Sequence, residues 1–114
     1  MKALQFTETK ELALDGWNID QVEPAIFQAL RSFSGDRFKA IETRRDTYQD
    51  RMARQLWIDT FSDDEADKKP GGYREAGGYR VPIMMFEHWQ IGPQLRITAR
   101  CYYEESQPLF EHIL

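Results

Sequence analysis

The stretch that decides the fold is YRVPIMMFEHWQIGPQLRITARCYYE, residues Tyr79–Glu104. Its second half alternates apolar and polar residues from Leu95 onward, which is the period of a β-strand with one buried face. Its first half is an apolar run of β-favouring residues, and Gly92-Pro93-Gln94 between the halves is typical of a turn. The stretch therefore predicts a two-stranded β-hairpin.

The register of this hairpin determines which side chains are buried. We expect Ile91 to pair with Leu95 across a three-residue loop, because this pairing gathers the most apolar side chains on one face. These are Val81, Ile83, Met85, Trp89, Ile91, Leu95, Ile97, Ala99, Cys101 and Tyr103. A slip of one residue reverses the face of every side chain in the slipped strand. The apolar pattern itself therefore favours this register.

The length and composition predict one soluble domain over residues 1–114. Its 114 residues lie near the commonest domain size, and 41% apolar and 30% charged residues suffice for one core and a polar surface. The formal net charge is −4, with 15 basic and 19 acidic residues. Proteins that bind nucleic acid over their whole surface are usually basic, so the charge argues against that class.

The single cysteine and the amino-terminal residues favour a cytoplasmic protein. Cys101 is alone, which excludes an internal disulfide, and the alternation places it in the core. Residues 1–6 lack the long apolar segment of a secretion signal. No run approaches the roughly 18 apolar residues that a membrane span needs, so we expect no contact with a membrane.

One main helix is predicted from Asp20 to Ser34. Asp20 can cap it with Glu23 as the capping-box partner, and Ser34-Gly35 ends it. Its apolar side chains form one stripe along the helix: Val22, Ile26, Ala29, Leu30 and Phe33. Such a helix needs a sheet to pack on.

The remaining segments are read from weaker signals. Lys2–Thr7 predicts a short first strand, which Leu12 and Leu14 extend unless the polar segment Glu8–Glu11 is a turn. Pro108–Leu114 fits a short helix or an extra strand. Residues 44–61 fit a strand or a helix, and the β-favouring residues around Trp57 favour a strand. Residues 62–78 are rich in acidic residues and glycine, which predicts a long mobile loop.

These elements predict an α+β domain in which an antiparallel meander of about four to five strands packs on one main helix. The order of strand, helix and strands resembles the cystatin-like arrangement at the level of topology. The resemblance does not imply protease inhibition. The tip Thr47-Tyr48-Gln49-Asp50 and the turn Gly92-Pro93 do not match the Gln-Val-Val-Ala-Gly tip and Pro-Trp turn with which cystatins bind proteases. Likeness of fold does not by itself imply function.

The first candidate site is Glu87. In the predicted register Glu87 lies on the buried face opposite Ala99, and His88 lies on the other face opposite Thr98. A buried carboxylate is costly unless it is paired or its pKa is raised. Glu87 therefore marks a candidate small-molecule or enzymatic pocket between sheet and helix, with a structural salt bridge or exposure at a bulge as the alternatives.

The second candidate is the other face of the predicted hairpin, which carries Phe86, His88, Arg96, Arg100 and Tyr102. Arginine and aromatic residues are enriched at the centres of protein interfaces, which favours a protein partner or a second copy of the chain. Arginine between aromatic residues also suits single-stranded nucleic acid. Cross-strand pairs on a solvated sheet face are the third reading.

The third candidate is the acidic loop. Asp63, Asp64 and Tyr73 are expected to contact a partner, and the acidic residues favour a basic one. Their spacing does not match a calcium loop, and two histidines are too few for a histidine-rich zinc site. With no motif for a nucleophile, a metal or a cofactor, we expect a small non-enzymatic protein-binding module, such as an inhibitor or immunity protein.

Overall fold

A computed structural model describes residues 1–34, 38–48, 51–62, 74–75 and 78–114 of the chain. The described residues form an α+β fold, as predicted. Its strands are β1 (Ala3–Asp15), β2 (Phe38–Tyr48), β3 (Arg51–Ser62), β4 (Arg74–Glu75), β5 (Gly78–Ile91) and β6 (Gln94–Tyr103). Its α-helices are α1 (Val22–Ser34) and α2 (Gln107–Ile113).

The strands form one antiparallel sheet in the order β1-β6-β5-β3-β2, with β4 paired to β5. Both helices contribute side chains to a single apolar cluster on one side of this sheet. We call that side the core face and the opposite side the outer face. Among the described residues, the helices therefore leave the outer face uncovered.

Several open assignments are now decided. Of the segment 44–61, residues 44–48 and 51–61 are extended in β2 and β3, as favoured, and the carboxyl-terminal segment forms the helix α2. The first strand has the longer of its two expected extents, because β1 continues to Asp15. Its pairing with β6 shifts between Ala3 and Glu8, whereas Glu8–Glu11, which also suited a turn, pairs regularly within the strand.

The predicted hairpin is present, but its predicted register is wrong. Ile91 pairs with Gln94, so the turn contains two residues, Gly92 and Pro93. Gly92 has a φ of +58°, which glycine adopts without strain, and the proline ring fixes the next φ near −65°. This combination fits a tight two-residue hairpin turn with glycine first. The slip of one residue places Glu87 opposite Thr98 and His88 opposite Ile97.

A β-bulge in β5 explains why the apolar pattern indicated the wrong register. Ile58 pairs with Met84 and Asp59 pairs with Pro82, which leaves Ile83 as the additional residue. The buried residues of the core face are odd-numbered up to the bulge residue, Val81 and Ile83, and even-numbered after it, Met84 and Phe86. The run Ile83-Met84-Met85-Phe86 is apolar throughout, so nothing in it marks the change of face.

The amino-terminal end of α1 is capped by Asn18 rather than by Asp20. The Asn18 side chain accepts a hydrogen bond of 2.9 Å from the backbone N–H of Asp20, and the Gln21 side chain accepts one of 2.7 Å from that of Asn18. This capping box opens a short 3-10 turn, Ile19–Gln21, that leads into α1. The side chain of Asp20 is thereby free to contact the sheet.

We expect Asn18→Ala to lower the free energy of unfolding by about 1 kcal/mol, because it removes the capping acceptor. Urea denaturation of the wild type and of Asn18→Ala measures this difference in unfolding free energy. Asn18→Asp is the control, because aspartate caps equally well and should retain the stability. Equal stability of the wild type and Asn18→Ala would contradict this assignment of the cap.

Candidate functional site

The register divides the predicted interface residues between the two faces of the sheet. Phe86 and His88 lie on the core face with no exposed surface, so their predicted place on an exposed face is wrong. Arg96 and Arg100 are exposed and Tyr102 is half-buried on the outer face. This division results from the slip of one residue in the register. The slip places each β5 side chain after the bulge on the face opposite to the predicted one, while the β6 side chains keep their predicted faces.

The outer face has an apolar centre made by three strands. Trp57 of β3 lies parallel to Tyr102 of β6, with 6.2 Å between ring centroids and 10° between ring planes. Met85 of β5 pairs with Trp57 on one side and with Arg100 on the other, and only 3% of it is exposed. Burial raises the pKa of Tyr102, while the charge and hydrogen bond of Arg100 act in the opposite direction.

The part of the outer face nearer to the β5–β6 turn carries hydrogen-bonded and charged pairs beside exposed apolar side chains. Glu87 accepts hydrogen bonds of 2.9 Å from Gln55 Nε2 and 3.1 Å from Trp89 Nε1, so its predicted place on the buried face is wrong. Arg96 lies 3.8 Å from Glu11 of β1. Trp89 and Ile91 are 36% and 42% exposed. The predicted register had placed both of these side chains, and Met85, in the core.

Two hollows open on or beside the outer face. One of about 430 Å³ lies beside the Trp57–Tyr102 pair, between the amino-terminal part of β1 and Pro82. The other, of about 240 Å³, is lined by Glu11, Trp89, Ile91, Arg96 and Thr98. The outer face therefore offers recesses that could receive side chains of a partner.

A third cavity, of about 130 Å³, lies on the core side between α1, β1 and β6. Its lining is apolar and includes Leu12, Trp17, Val22, Ile97 and Leu114. Glu87 lies on the other side of the sheet and does not line it. The predicted pocket around Glu87 therefore does not coincide with this cavity.

A polar cluster lies between the start of α1 and the sheet, and we call it the buried polar cluster after its two buried members, Arg54 and His88; Glu23 is half-buried and Asp20 is exposed at its edge. Arg54 of β3 is 6% exposed and donates a 2.7 Å hydrogen bond to Asp20. His88 pairs with Arg54 across the strands, and its Nε2 lies 4.0 Å from Oε1 of Glu23. Neither ring nitrogen of His88 has a hydrogen-bond partner among the described residues. Burial first, and the charge of Arg54 second, lower the pKa of His88 to about 4.

No sequence pattern predicted this cluster. Asp20 fitted a helix cap, Arg54 belonged to a stretch of mixed charges, and His88 fitted an exposed face. Cys101, by contrast, lies in the core as predicted, with its Sγ 3.0 Å from Oγ of Ser106. Burial raises the pKa of the Cys101 thiol, which does not favour a reactive cysteine.

Other predicted contacts fall outside the described residues. They are Asp63, Asp64 and Tyr73, together with most of the loop 62–78, of which the structure describes Ser62, the short strand β4 and Gly78. Within the described ranges, no cluster of three or more histidine, cysteine, aspartate or glutamate residues is arranged to hold a metal ion. No helix in that part of the chain has the length and apolar character needed to span a membrane.

Comparisons of the chain with protein families, with curated proteins and with solved structures find no match.

Proposed function

We propose that this chain is a small non-enzymatic protein-binding module, of the inhibitor or immunity type, that binds another protein through its outer face. The observation that carries the proposal is the apolar centre of that face, which neither helix covers. Trp89 and Ile91, on the same face, stay 36% and 42% exposed, and a partner bound there would remove this apolar surface from water.

The residue types of the outer face support a protein partner. Tryptophan, tyrosine and arginine supply most of the binding energy in protein interfaces. Here Trp57 and Tyr102 form a rigid pair, Arg100 lies beside them, and Trp89 and Ile91 extend the apolar surface towards the turn. The two hollows lie at opposite ends of this row and would receive protruding side chains of the partner.

Charge indicates a basic partner. On the outer face Arg96 lies beside Glu11, and Arg100 and Glu87 both lie near Tyr102, so charges of both signs are interspersed there. The whole chain carries −4, and Asp63 and Asp64 belong to its acidic loop. A net negative charge accelerates encounter with a basic protein and makes association depend on salt.

The cystatin-like order remains a prediction and does not contribute to this proposal. The described chain has a second α-helix, α2, beside the one main helix of that prediction, and a short strand, β4, within the predicted loop. The predicted tip residues Gln49 and Asp50 lie outside the described residues. The proposal depends only on the side chains of the outer face.

The test is a tagged pull-down from host lysate with matched tryptophan variants. Trp89→Ser removes an apolar side chain from the outer face, and Trp17→Ser removes one of similar exposure, 38% against 36%, from the core side. We expect a stoichiometric basic protein to be lost with Trp89→Ser and with Arg100→Glu, and retained with Trp17→Ser. Capture that survives both outer-face substitutions would contradict the proposal.

The same experiment separates protein from nucleic acid. Trp57, Tyr102 and Arg100 would also suit stacked bases and a phosphate, so nuclease treatment is included before elution. Recovery of nucleic acid, released by nuclease and lost with Arg100→Glu, would replace the protein-binding proposal. Capture that resists nuclease supports a protein partner.

A further inference from the structure

The buried polar cluster lies on the core side of the sheet and takes no part in the proposed outer-face contact. His88 is the central residue of this cluster. Arg54 flanks it on β3, and Ile97 flanks it on β6. Glu23, in the first turn of α1, approaches it to 4.0 Å. A histidine in this position is packed between the sheet and the start of a helix, with no exposed surface.

Two polar contacts hold the start of α1 against the sheet beside His88. The Asp20 carboxylate accepts from Nη2 of Arg54 at 2.7 Å, and the side chain of Gln90 accepts a 3.0 Å hydrogen bond from the backbone N–H of Ile19. Both Arg54 and Gln90 are neighbours of His88 in the sheet. A change of charge at His88 therefore acts where the helix is attached.

We propose that His88 is an acid-responsive switch, which holds the start of α1 against the sheet while neutral and releases it when protonated. The neutral ring packs among Arg54, Ile97 and the first turn of α1. A proton on the ring would place a second positive charge beside the Arg54 guanidinium, in a site without water access. Asp20 is already bonded to Arg54, which leaves Glu23 as the carboxylate nearest to the ring.

The pH range follows from the direction of the shift. We call the protein with the start of α1 against the sheet the closed form, and the protein with this segment detached the released form. In the closed form the pKa of His88 is lowered to about 4 from its ordinary 6.5, so the closed form binds fewer protons than the released form. The closed form therefore has its full stability above pH 6.5 and loses it as the pH falls towards 4. From these two values, the equilibrium constant for release should rise roughly 80-fold between pH 8 and pH 4.5.

One neighbouring charge competes with this switch. Glu23 could rotate to pair with the imidazolium, which would raise the pKa of His88 and keep α1 in place. Glu23→Gln keeps the shape of the side chain without its charge, so it should leave the release intact if His88 is the group responsible.

The test combines histidine titration by NMR with amide hydrogen exchange at pH 8 and pH 4.5, corrected for intrinsic exchange rates. We expect His88 to titrate below pH 5, and protection of the α1 amides at 26–30, which bond within the helix after Pro24, to fall by roughly 80-fold while that of β6 is retained. His88→Phe should abolish the fall. The chain's other histidine, His112, is exposed on α2, and His112→Asn should retain the fall.

The wild-type measurements alone can overturn the proposal, whether or not His88→Phe folds. Titration of His88 at or above pH 6.5 would show that Glu23 or another group stabilises its charged form. Unchanged protection of α1 at pH 4.5 would show that no release occurs, and an equal fall in α1 and β6 would indicate general unfolding. Each of these results contradicts a switch at the start of α1.

Discussion

Phe86→Ala is expected to lower the free energy of unfolding by about 3–5 kcal/mol, whereas Trp89→Ala should cost no more than about 1.5 kcal/mol. Phe86 has no exposed surface and belongs to the core cluster with Ala99 and Leu56, its partners on the neighbouring strands. Trp89 lies on the outer face and keeps more than a third of its surface in water. Chemical denaturation of the purified variants measures both changes.

The contrast between these two variants reports on the hairpin register. In the register that the apolar pattern favours, Trp89 would be a core residue and Phe86 would be exposed, so the order of the two effects would reverse. Ile97→Ala is the control, because Ile97 is buried in either register and should cost about 2–5 kcal/mol. A larger loss for Trp89→Ala than for Phe86→Ala would contradict the register.

Asp20→Asn is the second substitution with a large expected effect, a loss of about 2–3 kcal/mol in unfolding free energy. Asp20 itself is largely exposed, but its partner Arg54 is not. Removal of the carboxylate charge leaves a buried guanidinium without a counter-charge, which costs more than the loss of a surface ion pair. Thermal or urea denaturation at neutral pH measures the loss.

A double-mutant cycle with Arg54→Met isolates this effect. Methionine keeps an unbranched apolar stem in the site and removes the charge, so Asp20→Asn in that background should cost less than about 0.5 kcal/mol. Equal costs of Asp20→Asn with and without Arg54 would mean that the Asp20–Arg54 contact contributes nothing measurable.

The sequence was sufficient to predict those elements whose signals are local. In β6 every apolar residue of the alternation from Leu95 to Tyr103 is buried, because this strand is regular over its whole length. The apolar stripe of α1 is also correct for Val22, Ile26 and Leu30. Phe33 departs from it, because it lies near the end of the helix and contacts the exposed ring of His112.

The faces of β5 could not be predicted in the same way. A two-residue turn and a bulge each shift the strand pairing by one residue. Residues 83–86 are all apolar, so the sequence does not show which of them face the core. The contacts of the buried cluster were hidden for another reason. Asp20 and Arg54 are 34 positions apart and meet only when α1 lies on β3. The Asp20-to-Glu23 spacing also matches a capping box, so a local pattern concealed a long-range ion pair.

Both proposals depend on which β5 side chains face outward, and cross-strand backbone NOEs in the free protein measure this most directly. The account predicts NOEs that join Trp89 to Arg96 and Glu87 to Thr98, in keeping with the pairing of Ile91 with Gln94. NOEs that join Ile91 to Leu95 and Trp89 to Ile97 would contradict it. They would return Trp89 to the core and move Phe86 and His88 to the open face.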